Sequence, residues 1–179
     1  MKRSVILSLF LLLICSASTF SQTKQPKTVR DFFTLLPDKY FVLECCLKSP
    51  KSKQKAEYLK RYLNVEDTDN GYMSGYGNAA QEGFEMALFK RPDGTYLIAF
   101  YTEGEGGTGN LPWCVFLDYT NGIWTDVSRS VVPEYTPEKY EYDLPRVGTT
   151  IGVYKKVEQG DPPKLYELVW DDGKFAIKK

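Results

Sequence analysis

Residues Met86 to Trp124 read MALFKRPDGTYLIAFYTEGEGGTGNLPWCVFLDYTNGIW. Two apolar-rich hairpins are visible, turned at Asp93-Gly94 and Asn121-Gly122 and separated by a glycine segment, Glu103 to Asn110. Apolar runs of four to eight residues bounded by such turns are strands, and Asn-Gly or Asp-Gly between them is the strongest local hairpin mark. The expected strands are Phe84–Lys90, Thr95–Thr102, Trp113–Tyr119 and Ile123–Val127.

Working outward, the same unit recurs. Asn70-Gly71 predicts a type I′ turn, which needs positive φ at both central residues. Asp172-Gly173 turns Leu165–Trp170 into Phe175–Ile177. Gly71, Gly94, Gly122, Gly148 and Gly173 fall at intervals of roughly 25 residues, within the range in which structural repeats are sought. Four of the five are followed within two residues by an aromatic: Tyr72, Tyr96, Trp124 and Phe175. The reading is an α+β domain dominated by an antiparallel meander of about nine or ten strands. It must curl, close into a barrel or fold into two layers, because a long open sheet leaves edges and two faces to cover.

Two helices precede the strands. Thr28 and Asp31 fit a cap with an acid three residues on, Val29, Phe32, Phe33 and Leu36 share a face, and Pro37 ends the helix. Tyr40 to Leu47 is apolar and ambiguous between strand and helix. Ser49-Pro50 opens a second helix to about Leu63, with Ala56, Leu59 and Leu63 as its apolar edge and Tyr62 at the margin. Its Lys51, Lys53, Lys55, Lys60 and Arg61 scatter over the polar arc at about 100° per residue and read as a solvated face.

At the start of the chain, Lys2 and Arg3 precede an apolar run, Val5 to Cys15, and small residues, Ser16 to Ser21. That order is a secretory signal peptide, cut after Ser21 or after Ser18. The run is shorter than the roughly 20 residues of a spanning helix. Lipid modification at Cys15 is disfavoured by the bulky Ile14 before it. Residues 22–27 read as a polar leader and 28–179 as a single globular domain, secreted or periplasmic, with no membrane anchor after processing. Losing Lys2 and Arg3 from a chain with 23 basic and 23 acidic residues leaves a net charge of −2. Nucleic-acid binders carry a strong basic excess, so that class is excluded.

The chain has no histidine. With no C-x-x-C either, a zinc site lacks its ligands, and a cysteine nucleophile lacks its usual base. Gly104-Glu105-Gly106-Gly107-Thr108-Gly109 matches the dinucleotide fingerprint by letter. That fingerprint works only where it opens a helix onto a pyrophosphate; here Leu111-Pro112-Trp113 and a strand follow, and Glu103 and Glu105 would repel a diphosphate. Asp67 to Gly71 resembles a calcium loop, but its glycine comes one place early and the bidentate glutamate is missing. No cofactor and no metal are expected. Of Cys45, Cys46 and Cys114, one of the adjacent pair is expected to bridge Cys114 in an oxidising compartment; buried free thiols are the alternative.

Ser128 to Pro145 is too long for an ordinary hairpin connection. Its tyrosines, Tyr135, Tyr140 and Tyr142, either recognise a partner or pin the segment to the domain. With Glu103, Glu105 and Asn110 of the glycine segment they are the candidate ligand-binding residues; none is expected to be catalytic. The expected function is that of an exported, bacterial-type, non-enzymatic binding domain for a protein or glycan in the envelope or outside the cell. The alternatives are a histidine-free hydrolase using loop carboxylates and an envelope-associated structural protein.

Overall fold

Glycines that leave the right-handed half of backbone space turn the chain through a series of hairpins. The computed structural model describes residues 25–41, 51–77, 83–102, 114–157 and 159–178. Gly71, Gly94, Gly122, Gly148 and Gly173 all have positive φ, between 67° and 100°. Each lies in the turn of one hairpin: β1 (Leu63–Asp67) with β2 (Tyr72–Gly75), β3 (Phe84–Lys90) with β4 (Tyr96–Thr102), and β5 (Cys114–Thr120) with β6 (Ile123–Asp126). The last two are β7 (Tyr140–Asp143) with β8 (Thr150–Lys155), and β9 (Lys164–Asp171) with β10 (Lys174–Lys178). Three hairpins make a six-stranded antiparallel sheet in sequence order, β1 to β6, and two make a four-stranded sheet ordered β10-β9-β8-β7. Neither sheet closes on itself. The α+β meander is as expected, in its two-layer form.

The turns differ in chemistry. Asn121-Gly122 (φ 51° and 86°) and Asp172-Gly173 (φ 45° and 100°) have both central residues left-handed, as a type I′ turn requires. Asn70 does not, so the type I′ expectation for Asn70-Gly71 is corrected. Asp67 Oδ1 accepts from the Asn70 backbone N–H (3.3 Å) and from Asn70 Nδ2 (3.0 Å), which holds that residue right-handed in a four-residue loop with Gly71 alone reversed.

Two helices cover the outer face of the larger sheet. Helix α1 (Val29–Leu35) starts with the expected capping box: Thr28 Oγ1 accepts from the Asp31 N–H and Asp31 Oδ2 accepts from the Thr28 N–H. Val29, Phe32, Phe33 and Leu36 are buried as predicted. Helix α2 (Lys51–Tyr62) corrects its expected apolar edge. Ala56 is exposed and Leu63 opens β1, while Tyr58, Leu59 and Lys55 are buried. Lys55 is tolerated there because its methylenes are apolar and its ammonium donates to the Leu36 carbonyl beyond the end of α1.

The first core fills the space between helices and sheet. Phe33 stacks on Phe84 at 4.4 Å, with Phe41, Tyr58 and Phe100 around them. The second core lies between the two sheets, built from Ala87, Phe89, Leu97, Ala99 and Phe116 on one side and Tyr142, Ile151, Val153, Leu168 and Phe175 on the other. The central strands β3, β4 and β5 therefore bury both faces, which explains their nearly unbroken apolar sequences. Trp170 ties the sheets together by donating its indole N–H to the Lys90 carbonyl at 3.1 Å. No helix among the described residues is long and apolar enough to cross a membrane.

The Arg30 guanidinium spans from α1 to the Glu66 carboxylate of β1, with Nε to Oε1 at 2.7 Å. That hydrogen bond holds the Glu66 carboxyl below its ordinary value of 4.5. A depressed carboxylate stabilises the fold above its unfolded pKa and loses that contribution as pH falls through the folded value. Stability should therefore decline below about pH 4.5, and Glu66→Gln should flatten this part of the decline in urea titrations at successive pH values. An unaltered pH profile in the variant would disprove the assignment.

Candidate functional site: an acidic, tyrosine-lined cleft

A strand buried on both faces has no natural place for a charge, yet β3 carries Glu85 in FEMALFK. Its register partners are Ser74 on β2 and Tyr101 on β4, and Tyr101 in turn faces Cys114 on β5. Directly paired residues share a face. Ser74, Glu85, Tyr101 and Cys114 thus form a polar row across four strands, on the side of the larger sheet that faces the smaller one.

The smaller sheet answers with β7. Tyr140 and Tyr142 turn towards the second core, so strand alternation sends Glu141 and Asp143 to the other face. Glu141 pairs with Tyr154 and Asp143 with Gly152 on β8. Glu85, Tyr101, Glu141, Tyr142, Asp143, Tyr154 and Pro162 line one cleft of about 210 Å³. Both sheets contribute to it.

Carboxylates and lysines share this neighbourhood, with Glu141 acting on Lys156 and Asp143 on Lys164. The Tyr72 hydroxyl is pushed up to about 12, first by burial and next by the Glu85 carboxylate, with Asp143 adding in the same direction. Burial pushes the Cys114 thiol up as well, and Glu85 adds to it. A buried, protonated thiol is a poor nucleophile at neutral pH. Two lysines stand nearby. Lys156 Nζ donates to the Pro137 carbonyl (2.6 Å), and Lys164 Nζ pairs with Glu167 (2.7 Å). Among the described residues no group of three or more acidic, cysteine or histidine side chains is placed to hold a metal ion.

Gly152 shapes one wall. A Cβ there would stand 2.7 Å from Cε2 of Tyr154, whose ring folds back over the glycine. Gly152→Ala should displace the Tyr154 ring while costing at most about 1 kcal/mol, since the obstacle is the far end of a flexible side chain. Movement of the Tyr154 ring resonances with a nearly unchanged urea midpoint is the expected result; unmoved resonances would show that the glycine does not set the wall.

The candidate residues from the sequence fall unevenly. Glu103, Glu105 and Asn110 lie outside the described residues, as do Cys45 and Cys46. Cys114 carries a free, buried thiol. The stretch expected as a long loop, Ser128–Pro145, contains a short helix, α3 (Ser128–Val131), and strand β7. Its length is thereby explained without a free loop. Its tyrosines fasten it: Tyr135 donates to the Cys114 carbonyl, Tyr142 Oη accepts from the Thr136 N–H at 3.1 Å, and Tyr140 packs edge-on against Tyr166 at 6.2 Å. Burial raises the pKa of both the Tyr135 and the Tyr142 hydroxyl. Of the three, Tyr142 also borders the cleft.

Glu85, Tyr101, Glu141, Asp143 and Tyr154 escape a reading by motif. One mark was present: Glu85 is the lone charge inside an otherwise apolar run, where burial of a carboxylate needs a reason. Nothing local in the sequence links it to Glu141 and Asp143, which come from another sheet. Comparison of the chain with protein families, with curated proteins and with solved structures finds no match.

Proposed function

We propose that the protein is an exported, non-enzymatic binding domain whose cleft receives a lysine or arginine side chain of a protein partner. The observation that carries this reading is that Glu85 of one sheet and Glu141 and Asp143 of the other line one tyrosine-bordered cleft. Carboxylates attract an ammonium or guanidinium, and tyrosine faces add a cation–π contribution of about 0.5–2 kcal/mol. Size favours a side chain over an oligosaccharide. At about 210 Å³ the cleft is smaller than the roughly 300–1,000 Å³ typical of sites that engulf a whole small ligand. Export rests on the Lys2-Arg3, Val5–Cys15 and Ser16–Ser21 pattern.

Titration with N-acetyl-arginine methylamide, N-acetyl-lysine methylamide and the neutral norleucine analogue, followed by amide chemical shifts, tests the reading. Saturable shifts at Glu141 to Asp143 and at Tyr154 with the two cations, at about millimolar affinity, are expected. Equal response to norleucine, or none to any probe, would overturn it. Turnover of a glycoside that is abolished by Glu141→Gln would replace it with carboxylate hydrolysis.

A further inference from the structure

The chain has two Asn-Gly dipeptides, and the fold treats them differently. Asn70 is held by Asp67 through both its backbone N–H and its side-chain amide (3.3 and 3.0 Å). The Gly71 N–H donates to the Thr68 carbonyl at 3.2 Å, and the Gly71 carbonyl accepts from the Leu88 N–H at 2.9 Å. A Cβ on Gly71 would meet Leu88 at 3.0 Å, so this turn is packed against β3. Asn121 and Gly122 are both exposed, and nothing lies within 4 Å of the Gly122 Cβ position. Gln25 Nε2 reaches Asn121 Oδ1 at a long 3.5 Å, and both partners are exposed.

We propose that Asn121 is a site of spontaneous deamidation in the folded protein and that Asn70 is protected. The reaction needs only water and hydroxide. The Gly122 amide nitrogen gives its proton to hydroxide and attacks Asn121 Cγ. The new C–N bond closes a succinimide, and the Cγ–Nδ2 bond breaks, releasing Nδ2 as ammonia with a proton drawn from water. Water then adds to either ring carbonyl and cleaves one ring C–N bond, leaving aspartate or isoaspartate. Glycine in the second position favours the attack because it has no Cβ to crowd the ring.

Ring closure swings the Asn121–Gly122 peptide out of the turn, so the hairpin must open first. Opening is cheap here: β6 is a four-residue edge strand with exposed or half-buried residues throughout. Opening the Asn70 turn breaks the bonds to Asp67 and Leu88 as well. Isoaspartate at 121 would route the backbone through the side chain, adding a carbon to a turn whose geometry pairs Tyr119 with Trp124 at 5.0 Å.

The test is incubation of the full folded chain at mildly alkaline pH, with peptide mapping by mass and isoaspartate-specific methylation. A urea-unfolded sample serves as control. Asn121 should convert faster than Asn70 by at least about tenfold, the factor that three additional hydrogen bonds broken on opening, each at the low end of its net worth, would impose, and the difference should vanish in urea. Equal or faster conversion of Asn70 in the folded protein would overturn the proposal. So would an Asn121 that stays intact while the unfolded control converts.

Discussion

Phe84→Ala should cost about 3–5 kcal/mol of folding stability, the range for removing a fully buried phenylalanine ring. Its ring touches four others of the first core. It stacks on Phe33 at 4.4 Å, packs at 5.5 Å on Phe41 and at 5.9 Å on both Tyr58 and Phe100, and closes over Gly75, where a Cβ would meet Phe84 Cε1 at 2.5 Å. The surrounding rings are large and mutually wedged, so the cavity should not collapse. Small domains have only about 5–15 kcal/mol in total, so the variant should sit near its unfolding threshold. Urea unfolding checks this, with a lowered midpoint and an unchanged slope. A loss under about 1 kcal/mol would mean that the α1–α2 layer is not docked on the sheet as described.

The second large effect concerns the cleft. The double variant Glu141→Gln, Asp143→Asn should weaken binding of N-acetyl-arginine methylamide by about ten- to a hundredfold, since hydrogen bonds to charged groups contribute about 1.5–3 kcal/mol each and the exposure of Asp143 discounts its share. Folding stability should change little, because removing two charges from the cleft that Glu85 lines also removes their attraction for Lys156 and Lys164. Binding by the unaltered protein should also weaken with added salt, as the Debye length of about 8 Å at physiological ionic strength shortens. Undiminished binding by the double variant would remove Glu141 and Asp143 from the site.

The architecture was legible wherever a local rule had no tertiary competitor. Thr28 and Asp31 cap α1 as read, and the five glycines mark the hairpin turns because a reversed backbone is a property of the residue itself. Gly148, whose sequence lacks the following aromatic, still turns β7 into β8. The expectations that failed were overridden by partners distant in sequence or by side-chain bonds that spacing does not reveal. Lys55 is buried because Leu36 offers a carbonyl, Ala56 is left outside, and Asn70 is kept right-handed by Asp67. Ser128–Pro145 read as a loop because its prolines and acids hide a four-residue strand.

The cleft was less legible than the fold. Tyr135 and Tyr140 read as either recognising a partner or pinning their segment, and the structure pins them on Cys114 and Tyr166. Glu141 and Asp143 sit beside those tyrosines in sequence but project to the opposite face of β7, a separation that appears only once the segment is known to be a strand. Glu85 was visible as an anomaly within β3. Its meeting with β7 depends on how one sheet lies on the other, which no window of sequence contains.

The most direct test of the cleft is the location of a bound cation. Intermolecular nuclear Overhauser effects from the side-chain protons of N-acetyl-arginine methylamide to the protein would report it. Contacts to the ring protons of Tyr154 and Tyr101, lost in the Glu141→Gln, Asp143→Asn variant, are the expected result. Contacts confined to other surfaces, or a saturated complex with none to either ring, would contradict it.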